Sequence, residues 1–328
     1  MSIDKLVKKI TNNKQHIELT ILESDAENWK QACYGMNGVA RKPSGLRYEI
    51  GSLTKIFTAT LVAKLLDKGV LNLTEVQSLV DNGEYVNIPS IQRLATHTSG
   101  FTYQPLTRIQ NLAMFASVLT GGKACVDNPF VGKSSKTQIL DSVRTIKNYN
   151  EVHPFYYSNI NYALLALLCE QAVGTPYVEQ MMSLIESDLE LTDTNFKFEN
   201  VMLGNAGKHR QGNWCWNVEE SMIASGGLYS TAADLRKFLT FHFNESHDHP
   251  FVDIMKIKHA TGPKAYDMGL AWKLQDEDIL WHNGGTGCFN LFIGMNQNTG
   301  KKAVVLSNYR SLNIDKLGLT LLRNDSLK

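Results

Sequence analysis

The chain has 328 residues, 43% of them apolar and 20% charged, the balance of a soluble globular protein too long for one compact core. Its 33 basic and 32 acidic residues leave a net charge of +1, so no field favours nucleic acid or an anionic membrane as partner. Residues 1–15 carry Lys5, Lys8 and Lys9 without an apolar signal core, and no stretch reaches the ~20 apolar residues of a membrane span. Cys33, Cys125, Cys169, Cys215 and Cys288 are odd in number, widely spaced and free of any C-x-x-C pair. That usage predicts free thiols in a reducing compartment, and the expected location is cytoplasmic.

Ile3, Leu6, Val7 and Ile10 recur at helical spacing and predict an amphipathic first helix. Residues 16–22, 29–34 and 46–50 read as short strands, with turn signals at Asn37-Gly38 and Pro43-Ser44-Gly45 between them. Residues 52–68 are apolar nearly all round, the pattern of a buried central helix, and Gly69 stops it. From residue 71 to about 217 the periodicity is helical, with candidates at 91–96, 137–145, 162–173 and 177–185. After the glycine turn Ser225-Gly226-Gly227, Ser230 or Thr231 caps a helix through Leu235 and Leu239. Residues 279–283, 289–295 and 302–308 read as strands, the last two joined at Asn298-Thr299-Gly300, and a final amphipathic helix follows. The fold class is therefore α+β. An antiparallel sheet flanked by terminal helices is built from residues 1–70 and 220–328, and an all-helical lobe from 71–219 is inserted between, with the site at the junction.

Three stretches carry chemistry. Ser52 and Lys55 in Ser52-Leu53-Thr54-Lys55 share one helix face, where a desolvated lysine activates or steadies a serine alkoxide. An N-cap serine with a solvated first-turn lysine fits the same four residues, as Ser2-Ile3-Asp4-Lys5 does, so Ser52 needs partners. Tyr157-Ser158-Asn159 precedes a buried helix; a phenol accepts a proton only where cations lower its pKa, and Lys55 could supply that charge. Trp281-His282-Asn283-Gly284-Gly285 places glycines at a strand edge, where an exposed N–H completes an oxyanion hole with that of Ser52. The pair His247 and His249 has no third ligand in view, and neither a metal nor an organic cofactor is expected.

The order of these three motifs resembles the serine β-lactamase and penicillin-binding protein superfamily, within it the class C β-lactamase-related hydrolases, which include esterases, D-aminopeptidases and DD-peptidases. Leu94-Ala95-Thr96-His97-Thr98-Ser99-Gly100-Phe101, Gly226-Gly227-Leu228-Tyr229-Ser230-Thr231-Ala232-Ala233-Asp234-Leu235 and Val304-Val305-Leu306-Ser307-Asn308 look like that group's flanking segments. The resemblance covers residues 17–308. It implies Ser52 as acylated nucleophile, Lys55 and Tyr157 as base and acid in either order, and Asn159 as binder of a substrate amide or carbonyl. It further implies Gly285 N–H as an oxyanion donor and a substrate-binding edge of His282, Asn283 and Gly284. His97 and Asp234 fall in fold-defining segments and read as structural.

The chain departs from the pattern where His282 and Asn283 stand in place of lysine and threonine, a weaker partner for a substrate carboxylate. The expected activity is hydrolysis of a small ester, amide or peptide through an acyl-enzyme. Acyl transfer, such as peptide cyclisation, and a sensor that acylates without turnover are the alternatives.

Overall fold

The structure is a computed structural model that describes residues 1–25, 28–102, 109, 112, 116, 127–144, 151–204, 213–243, 249–262 and 266–323. Among these, the helices are α1 Ile3–Thr11, α2 Thr54–Asp67, α3 Ile91–Ala95, α4 Lys136–Val143, α5 Ile160–Val173, α6 Tyr177–Ser183, α7 Ala232–His242, α8 Pro250–Lys256 and α9 Asn313–Arg323. The strands are β1 Leu19–Asp25, β2 Asn28–Tyr34, β3 Tyr48–Glu49, β4 Gln77–Asp81, β5 Glu84–Ile88, β6 Tyr229–Ser230, β7 Asp267–Met268, β8 Lys273–Gln275, β9 Ile279–Gly285, β10 Asn290–Asn296 and β11 Lys302–Ser307.

Seven strands form one antiparallel sheet in the order β2-β1-β11-β10-β9-β8-β7. The two ends of the chain thus share a sheet, since β1 pairs with β11 from Leu19↔Ser307 to Ser24↔Lys302. Both faces are covered, so β11 is buried at every position rather than alternating. One face takes α1 and α9 through Leu6, Ile10, Leu317 and Leu321, packed on Phe292 and Val305. The other meets a larger core in which α2 is central, with Ile56, Phe57, Leu61 and Val62 buried.

Close docking of α9 depends on Gly318. A Cβ there would lie 2.1 Å from the Phe292 ring, whose position the sheet holds. Gly318→Ala is expected to cost about 1–3 kcal/mol, as overpacking does. A urea melt should show a lower midpoint with unchanged slope; an unchanged midpoint would contradict the packing described.

The middle of the chain is not wholly helical, which corrects the expectation of an all-helical insertion. β4 and β5 pair as a hairpin, Gln77↔Ile88 to Asp81↔Glu84, around Asn82-Gly83 with φ of 52° and 83°. Positive φ at both central residues is the geometry whose twist matches paired strands, and Asn-Gly adopts it readily. The helical reading outweighed that dipeptide because only Leu79, Asp81, Val86 and Ile88 of the hairpin are buried. β7 and β8 were likewise not expected; they are two and three residues long, too short for periodicity to register.

Cys33, Cys169 and Cys215 are free, but Cys288 is disulfide-bonded, to a partner outside the described residues. Five free thiols no longer support a reducing compartment. No helix among the described residues is long and apolar enough to cross a membrane.

Candidate active site

Strand β3 delivers the chain to a single 3-10 turn, Gly51–Leu53, that leads into α2. Ser52 sits on this turn and does not cap the helix through its side chain. The turn is wedged against β9. A Cβ on Gly51, where φ is 50°, would lie 2.7 Å from the Gly285 carbonyl oxygen, and one on Gly284 would lie 2.1 Å from that of Ile50. Glycine at these positions lets two backbones touch, so the Gly285 peptide lies against the one preceding Ser52.

Lys55 is fully buried one turn along. Its Nζ lies 3.1 Å from Ser52 Oγ and donates to the Ser225 carbonyl at 2.6 Å. The rings of Tyr157 and Tyr162 stand 5.1 and 5.5 Å from Nζ. Burial, with the nearby Lys273 charge second, drives its pKa well below 10.5, which favours the uncharged amine and its lone pair. Tyr157 donates its hydroxyl to Ser52 Oγ at 2.6 Å. Burial raises its pKa, outweighing the opposing bond to Ser52, so the phenol keeps its proton. The sequence left open which of the two is proton acceptor; their environments shift the two pKa values in opposite directions.

His97 organises the loop bearing Tyr157. Its carbonyl accepts the Tyr156 N–H at 2.9 Å, its Nδ1 accepts the Ser158 N–H at 3.2 Å, and its ring centre is 4.6 Å from that of Tyr157. It does so at φ 59°, a conformation uncommon for a residue with a Cβ, held here by that web of bonds. Because Nδ1 accepts, the ring proton lies on Nε2; burial keeps the imidazole neutral. Asp234, through Oδ2, accepts from Asp193 N–H and Thr194 hydroxyl, each at 2.8 Å, a structural role.

A cavity of about 420 Å³ opens over Ser52, and Tyr157, Asn159, Asn283, Gly284 and Gly285 all border it. His282 does not, which corrects its expected place at the substrate-binding edge. Strand alternation turns it inward, where Nδ1 donates to the Asn283 carbonyl at 2.6 Å and Nε2 finds no hydrogen-bond partner among the described residues. Burial holds it neutral, with Lys273 and Lys55 adding to the effect.

The pocket's cations come from residues that sequence reasoning passed over. Lys273 on β8 lies opposite Trp281, its Nζ 4.4 Å from that ring, and donates to Asn283 Oδ1 at 2.8 Å. Asn283 Nδ2 in turn donates to Asp315 Oδ2 on α9 at 2.7 Å. Burial pushes Asp315 up to about 6 despite Lys273 and Asn283, and burial lowers Lys273. Arg310, beyond β11, also borders the cavity; only 8% is exposed, and its Nε and Nη1 have no hydrogen-bond partner among the described residues. No local signal marked either residue, since Lys273 reaches the cavity through strand pairing and Arg310 from the segment beyond β11.

Residues 103–108, 244–248 and most of 109–126 lie outside the described residues, so His247 of the expected histidine pair is not placed. Among the described residues, no group of three or more His, Cys, Asp or Glu gathers as a metal ion would need.

The family model described as Beta-lactamase matches residues 29–324. Protein flp of Staphylococcus aureus (strain COL) is 24% identical over 356 residues, covering 94% of this chain and 66% of that protein. The chain therefore spans about two thirds of the length of that relative, and 58% of the strain N315 protein. Among solved structures, the β-lactamase/D-alanine carboxypeptidase of Pseudomonas syringae aligns with TM-score 0.72 at 18% identity, covering 99% of both chains. The D-stereospecific amidohydrolase of a Streptomyces species gives 0.69 at 16% identity, again covering 99% of each. At such identities the likeness is one of fold.

Proposed function

Because this chain belongs to the beta-lactamase family, we propose that it is a serine hydrolase in which Ser52 attacks an ester or amide and becomes acylated. The observation carrying this reading is the convergence on Ser52 Oγ of Lys55 Nζ at 3.1 Å and Tyr157 OH at 2.6 Å, from residues 105 positions apart at most.

Lys55 is the base. Its amine, which burial shifts toward the uncharged form, takes the hydroxyl proton as Oγ bonds to the substrate carbonyl carbon, while the N–H given to Ser225 fixes its aim. The carbonyl oxygen becomes an oxyanion held by the N–H groups of Ser52 and Gly285. As the adduct collapses, Tyr157 gives its proton to the departing amine or alkoxide, and the Lys55 ammonium restores it. Water then releases the acyl group by the same steps in reverse. Asn159, at the cavity edge, binds the substrate amide or carbonyl.

The substrate carries an anionic group. His282 in the third motif argued against one, but Lys273 and Arg310, whose Nε and Nη1 find no hydrogen-bond partner among the described residues, put positive charge at the cavity from other elements. A buried guanidinium with unmet N–H groups is costly, and a carboxylate meeting Nε or Nη1 offsets that cost.

Mass spectrometry after incubation with an activated acyl ester or a penicillin tests the reading. Expected is an adduct on Ser52 that clears with turnover and is absent in Ser52→Ala. An adduct that persists favours the sensor; one cleared only by an added amine favours acyl transfer. A Ser52→Ala protein as active as its parent defeats all three.

His97→Asn tests the positioning of Tyr157, since asparagine tolerates positive φ but removes the ring. We expect kcat to fall about 10²-fold, as small misplacements of catalytic groups do, with KM less affected. Unchanged kcat would show that the ring does not position the phenol.

A further inference from the structure

The cavity is also walled by Phe130, Trp214 and Trp216. Phe130 and Trp216 are stacked, 5.8 Å apart and 10° from parallel, and Trp214 meets each at 6.0 Å edge-on. Trp216 lies over Gly226, where a Cβ would be 3.0 Å from its indole and 3.8 Å from Gly51 of the nucleophile turn. The wall therefore adjoins Ser52.

The backbone beneath is fastened at three successive residues. Asn213 donates to the Met202 carbonyl and accepts the Gly204 N–H, each at 2.9 Å, and Asn128 donates to the Cys215 carbonyl at 3.0 Å. Between them, Trp214 N–H donates to Glu49 Oε1 at 2.8 Å, and Tyr229 OH donates to the Trp214 carbonyl at 2.6 Å. Glu49 and Tyr229 are register partners in β3 and β6, so one strand pair grips both ends of a residue in the wall. Glu49 Oε2 also accepts the Thr286 hydroxyl at 2.5 Å, just beyond Gly285. This carboxyl takes no part in the proton transfers, is 1% exposed, and is pushed up to about 8 by burial. Burying a carboxyl is expensive, and what its bonds secure is the geometry of the wall.

We propose that the Phe130–Trp216 wall is the acyl subsite and selects a planar aromatic acyl group, with Glu49 and Tyr229 as its positioning residues. Rigid rings already stacked give such a group contact area at little ordering cost. The acyl side is assigned to this wall because the leaving group must face its proton donor, Tyr157. The inference rests on the hydrolase reading above.

S-methyl thioesters of phenylacetic, cyclohexylacetic and acetic acid share one small leaving group and isolate the acyl side. The wild-type protein should favour the phenylacetyl over the acetyl thioester by at least about 10-fold in kcat/KM, the discrimination an apolar pocket provides. It should also favour phenylacetyl over cyclohexylacetyl. Trp216→Ala and Glu49→Ala should collapse the first ratio, and Glu49→Gln, which keeps the acceptor for Trp214 N–H, should restore it. A smaller wild-type ratio, or equal rates for the two rings, overturns the proposal while the hydrolase reading stands. An intact ratio in Trp216→Ala overturns it too; in Glu49→Ala it removes Glu49's positioning role. A wild type inert to all three thioesters, with no adduct on Ser52, ends both.

Discussion

Lys55→Met should lower kcat/KM for an activated ester by about 10³-fold, within the range for loss of a general base, while making the protein more stable. The two effects share a cause. Lys55 is fully buried and its pKa lies well below 10.5, so between that depressed value and 10.5 the folded protein holds it uncharged while the unfolded chain binds a proton there. More protons bound by the unfolded state means that stability rises with pH between the depressed and the ordinary lysine value. Below the depressed value the ammonium must be buried charged, and the stabilising increment is gone. Methionine, similar in length and without charge, removes this liability, so its melting temperature should exceed the parent's most at the acid end of that window. Activity of the parent should rise with pH through the Lys55 transition, and that limb should vanish in Lys55→Met. Parent-like turnover, or a variant less stable than the parent at pH 6, would show that Lys55 is not the buried neutral base.

Arg310→Met should reduce kcat/KM for an ester bearing a carboxylate by about 10²-fold while changing that of its neutral analogue little, as truncating one partner of a buried charge pair does. Arg310 is 8% exposed, with Nε and Nη1 unpaired and its pKa lowered by burial, so the free protein bears an unmet desolvation cost there. Methionine relieves that cost, and the variant should melt higher than the parent without ligand. Lys273 remains, held by Asn283 and Asp315, so some preference for the acidic ester should persist. Equal losses on the acidic and neutral esters would mean that Arg310 supports the fold rather than the substrate.

What could be read along the chain was what depends on near neighbours. The helical periodicity of α1, α2, α5 and α9, the closing strands β9 to β11, and the spacing of Ser52 to Lys55 and of Tyr157 to Asn159 are local patterns. The β4–β5 hairpin went unread because its one local marker, Asn82-Gly83, stood in a polar run. His282 was assigned to the substrate because the strand was visible but its facing was not; strand period two decides that, and the docking of Gly284 on Ile50 sets the phase.

The sequence by itself thus determined the class of fold and the spacing that singles out Ser52, Lys55 and Tyr157 as candidates. Tertiary structure set the two flanking groups apart, because burial in the assembled core, the largest cause for both, moves Lys55 down and Tyr157 up from their free values. It also decided the charge of the pocket. Lys273 and Arg310 reach it across a strand pair and past the end of β11, and such long-range placement leaves no trace in the spacing of residues.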